Sequence, residues 1–125
     1  MREWCLGIME AEQNSIFIKS VSEWLGGVSF SEMNKRLPEV AAAIKQNDTT
    51  GMAETFEQIS KQLKELLMSV GSAYPDGSNI LVVTHAFFMK TIIYLFDFEN
   101  IERLSKVGNT DRIKLLFDGQ NFQIE

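Results

Sequence analysis

Residues Ile80-Leu81-Val82-Val83 form an unbroken aliphatic run, with Tyr74-Pro75-Asp76-Gly77-Ser78 before it and the apolar stretch Ala86 to Phe96 soon after it. A Pro-Asp-Gly cluster marks a turn. A continuous β-branched and aliphatic run with no polar alternation suits a strand buried on both faces of a parallel sheet. Upstream, Phe56, Ile59, Leu63, Leu66, Leu67 and Val70 keep helical spacing from Met52 onward. Glu57-Lys61 and Lys61-Glu65 add surface pairs at i, i+4. Helix, turn, buried strand and a second helix from Ala86 make most of a βαβ-type unit, which predicts the α/β class.

The flanks fit around that unit. Phe17, Val21, Trp24 and Leu25 fall on one helix face that begins near Ala11 and stops at Gly26-Gly27. A second helical piece starts near Ser29 or Ser31, breaks or restarts around Pro38, and continues through Ala41-Ala42-Ala43-Ile44 to Asn47-Asp48. At the end, Ile113, Leu115 and Phe117 alternate, Asp118-Gly119 signals a turn, and Phe122 and Ile124 return, which predicts a hairpin at the sheet's edge. With 125 residues, no repeat and no boundary, residues 1–125 are expected to form a single domain.

Composition excludes several classes. Twelve basic against seventeen acidic groups gives a net charge of −5, which repels phosphate backbones, so no nucleic acid partner is expected. One cysteine, Cys5, and one histidine, His85, cannot build a structural zinc site, and no metal or cofactor is expected. The start Met1-Arg2-Glu3-Trp4 does not read as a secretory leader, so the expected location is cytoplasmic. Ala86 to Phe96 is interrupted by Lys90 and is shorter than the roughly 20 residues a spanning helix needs, so no membrane partner is expected either.

Spacing also removes several chemistries. The chain has no phosphate-cradling glycine loop with a following lysine, and no Gly-x-Gly-x-x-Gly opening a helix. Leu6 to Ala11 contain no arginine, so Cys5 lacks the phosphate-holding partner of a cysteine phosphatase and reads as a small core residue. His85 is set differently, at the carboxyl end of a predicted strand where a following helix presents its first N–H groups. Such positions bind ligands, anions in particular. A histidine there donates hydrogen bonds to a phosphoryl oxygen and, when protonated, offsets its charge. Taken alone, a histidine that caps a strand end and bonds to backbone is the plainer reading.

Four segments in order change that weighting. Ile80-Leu81-Val82-Val83-Thr84-His85 resembles the hydrophobic strand ending in Ser/Thr-His-Gly of the histidine phosphatase superfamily, the fold of cofactor-dependent phosphoglycerate mutases. Met1 to Glu10 is similar to that family's Leu-x-Glu-x-x-Phe-Gly-x-Trp/Phe-Glu-Gly segment, with Met1 for Leu and Ala11 for the last Gly. Ala53-Glu54-Thr55-Phe56 resembles the Gly-Glu-Ser/Thr start of the long helix before the histidine strand. Gly108-Asn109-Thr110, followed by an alternating strand and hairpin, resembles the family's Asn-x-Ser-x-x strand ending.

The resemblance implies a three-layer α/β/α fold, incomplete at the N-terminus, with a C-terminal β-hairpin. It implies a phosphatase or mutase acting on phosphomonoesters. Carried over by motif, His85 is the second, phosphate-holding histidine and Glu3 the proton donor to the leaving oxygen. Thr84, His85, Ala86 and Asn109 line the phosphate and substrate site. The family's nucleophile, the histidine of an Arg-His-Gly motif, has no counterpart, because His85 is the single histidine and none of Arg2, Arg36, Arg103 and Arg112 precedes a histidine. The chain thus reads as the C-terminal part of such a protein, expected to be inactive alone. Ala86-Phe87 replaces the family's Gly-Gly, adding a methyl and a ring where substrates approach. The alternative is a non-catalytic binding or regulatory module, a pseudophosphatase that holds a phosphate-like anion weakly and self-associates. An unrelated small α/β interaction protein is the remoter reading. Loss of the first strand beside Ile80–Val83 would expose an edge, and a homodimer is expected.

Overall fold

A computed structural model of the chain describes residues 21–48, 51–104, 107–108 and 110–125, apart from the side chains of Phe30, Arg103 and Leu104. The elements are α1 (Phe30–Lys35), α2 (Leu37–Asn47), α3 (Phe56–Ser72), α4 (Ala86–Phe96), a 3-10 segment (Phe98–Leu104), β1 (Leu115–Phe117) and β2 (Phe122–Ile124). Residues 21–24 are also helical. They stop where expected: Gly26 and Gly27 take φ of +87° and +83°, which only glycine adopts without strain. The Gly27 N–H closes back on the Ser22 carbonyl at 2.7 Å, and the Ser22 hydroxyl donates to the Val28 carbonyl at 2.6 Å.

Local chemistry sets the helix starts. The Ser29 hydroxyl accepts from the Glu32 N–H and opens α1; α2 restarts after Arg36 with Pro38 in its first turn, where a missing N–H costs nothing. The long helix α3 begins at Phe56 rather than Met52, because Thr55 caps it. Thr55 Oγ1 accepts from the Gln58 N–H at 3.1 Å, and Gln58 Oε1 accepts from the Thr55 N–H at 2.9 Å, a reciprocal box that satisfies two otherwise unpaired donors.

Helix α4 is the centre of the packing. Phe88, Met89, Lys90, Thr91, Ile92 and Ile93 are all buried, as for a helix covered on every side. On one side Phe88 and Ile92 pack with Leu63 and Leu67 of α3, and Ile113, Leu115, Phe122 and Ile124 of the C-terminal hairpin close over them. On another, Val21, Met33, Val40, Ile44 and Ala53 form a second cluster, and Ala41 with Ile59 a third; the Phe87 ring packs against both. The hairpin has the alternation expected of it: Leu115 faces Ile124 and Phe117 faces Phe122 in antiparallel register. Asp118 Oδ1 accepts from the Gln120 and Asn121 N–H groups at the turn, and Gly119 takes φ +98°. Ile113 lies before the first strand rather than in it.

Two expectations are corrected. Among the described residues Ile80–Val83 forms no ladder, and it is not buried: Leu81 is 88% and Val83 84% exposed. A strand exists only through hydrogen bonds to a neighbour, and the described residues supply no parallel partner. The hairpin, expected at the edge of a larger sheet, instead docks its apolar face on α3 and α4.

Candidate functional site

The start of α4 follows from sequence directly. Asn79–Thr84 is not helical, His85 takes extended backbone angles (φ −102°, ψ 164°) as the N-cap, and the first helical hydrogen bond runs from the Met89 N–H to the His85 carbonyl at 3.2 Å. His85 is exposed and its side chain makes no capping bond. The first N–H groups of any helix have no intrahelical acceptor, and their dipoles add positive potential at that end. At Ala86, Phe87 and Phe88 that end lies beside an exposed imidazole, a combination able to receive an anionic oxygen.

Thr84, one residue earlier, is half-buried, and its Oγ1 is fully covered with no hydrogen-bond partner. An unsatisfied buried hydroxyl costs about 1–3 kcal/mol. Ala86 is half-buried as the first residue of α4. Phe87 overturns the expectation of a ring placed where substrates approach. It turns inward, against the clusters that contain Val21, Ala53, Ala41 and Ile59. Phe56, which closes the Ala53–Phe56 motif, instead meets Tyr94 toward the other end of α4, with ring centroids 5.3 Å apart. Within that motif the residues act structurally. The Ala53 N–H donates to Asp48 Oδ2 at 2.9 Å, its carbonyl accepts from Lys45 Nζ at 2.8 Å, and Glu54 Oε1 accepts from Gln62 Nε2 at 2.8 Å.

Glu3 and Asn109 lie outside the described residues. Beside Asn109, the Gly108 N–H donates to Asp111 Oδ2 at 2.7 Å, and Thr110 takes a φ of +72°. Of the arginines, Arg36 is bound by Glu39 of its own following turn, and Arg112 is exposed just before the hairpin. The residue that composition alone did not foresee is Lys90. It sits one helical turn beyond Ala86 and is buried, its Nζ 6.0 Å from the Phe87 ring centroid, and burial pushes its pKa down to about 8. Its only signal in the sequence was a single charge inside an otherwise apolar helix. Among the described residues no group of three or more His, Cys, Asp or Glu side chains converges as metal ligands would, and no helix is long and apolar enough to cross a membrane.

Comparison with known proteins gives one finding: the family model described as Histidine phosphatase superfamily (branch 1) matches residues 1–125. No curated protein and no solved structure matches the chain.

Proposed function

Because the chain belongs to the histidine phosphatase superfamily, an α/β family, we propose that the N-terminus of α4 holds the phosphoryl group of a phosphomonoester. The observation that carries this reading is the exposed His85 at the N-cap of an 11-residue helix whose first turn it leaves uncapped. In this reading His85 donates to a phosphoryl oxygen and the Ala86 N–H binds a second, while Thr84, whose Oγ1 is covered, joins them only on turning its hydroxyl outward. Phosphoryl transfer spreads charge over three equatorial oxygens, so catalysis depends on fixed donors at those positions. Glu3 is proposed as the proton donor to the departing oxygen, and Asn109 as a further contact. The three-layer α/β/α arrangement and a cytoplasmic setting belong to the same proposal.

His85 cannot both hold the phosphate and attack it, and it is the single histidine. The 125-residue chain alone therefore binds phosphate without forming a phosphoenzyme. Having one histidine also makes the test clean, since the imidazole C–H protons give one set of NMR signals. Titration with inorganic phosphate at constant ionic strength is expected to shift them saturably, while chloride does not. Unmoved signals would overturn the proposal. In parallel, p-nitrophenyl phosphate is expected to show no turnover; turnover that His85→Ala abolishes would reveal an overlooked nucleophile.

Self-association is proposed with it, supported by the exposed Ile80–Val83 run rather than by the site. A non-catalytic binding module is the second reading, and it predicts the same phosphate response.

A further inference from the structure

We draw no further inference here: the strongest candidate, the buried side-chain pair Lys90 and Thr91 in the middle of α4, rests on the lowered pKa of one lysine alone.

Discussion

Lys90 shows how one residue alters the energetics of a whole helix. Its 3% exposure places an ammonium group where solvation is poor, and the Phe87 ring offsets only part of that cost through its quadrupole. Thr91, beside it, loses nothing, because its hydroxyl donates to the Phe87 carbonyl at 2.7 Å. With the lysine pKa lowered from 10.5 to about 8 by burial, the unfolded chain binds more protons than the folded one between those values. Stability therefore rises with pH across that window, and the contribution is lost as pH falls through the folded value, by at most about 3 kcal/mol. Urea denaturation at about pH 7.5 and about pH 9.5 is expected to show the wild-type chain more stable at the higher pH. Lys90→Met, which keeps the length and removes the charge, is expected to be more stable at the lower pH and to show a flatter profile. Parallel profiles for the two proteins would assign the pH dependence to another group.

At the scale of elements, the hairpin is held to α3 by a contact that a helix rarely offers. A Cβ placed on Gly71 would lie 2.5 Å from Phe117 Cδ1 and 2.7 Å from Cε1, so the aromatic ring rests directly on the helix backbone. That ring cannot easily retreat, being stacked on Phe122 with centroids 4.6 Å apart, while Phe122 packs on Phe96. Alanine is normally better than glycine inside a helix by about 1 kcal/mol. Here the overpacking outweighs it, and Gly71→Ala is expected to lower stability by about 1–2 kcal/mol with helical content retained. A raised melting temperature would show that the hairpin moves freely on α3. The same contrast explains what could be read from the sequence. Ser29, Pro38, Gly26-Gly27 and the turn at Asp118-Gly119 act on their immediate neighbours, so the ends of α1, α2 and the hairpin were legible. Thr55 acts locally as well, but helical spacing alone placed the start of α3 too early. The Ile80–Val83 strand and the inward turn of Phe87 depend on which distant segments surround them, which no local pattern specifies. His85 as the residue opening α4 was legible for the first reason; the burial of Lys90 was not, for the second.

For the whole molecule, the consequence lies in Ile80–Val83, which forms no ladder among the described residues. Exposure alternates along it, 42% at Ile80, 88% at Leu81, 46% at Val82 and 84% at Val83, which is the period of an extended chain with one face partly covered. An extended apolar segment outside any ladder is a template for another strand. In a closed dimer the contact is made by the same patch on both copies. Antiparallel pairing about a two-fold axis perpendicular to the ribbon would set Leu81 and Val83 of one copy on the same face as the equivalent pair of the other. Charges placed at those two positions would then meet like charges across the pair and oppose it. Light scattering is expected to give the wild-type chain a mass well above 14.2 kDa at high concentration. The double variant Leu81→Lys/Val83→Lys is expected to scatter as a monomer, with unchanged far-UV circular dichroism because neither side chain belongs to the core. A wild-type monomer at every concentration would refute self-association. A variant that still associates would move the interface away from Ile80–Val83, to another exposed apolar position such as Tyr74 or Phe98, 56% and 48% exposed.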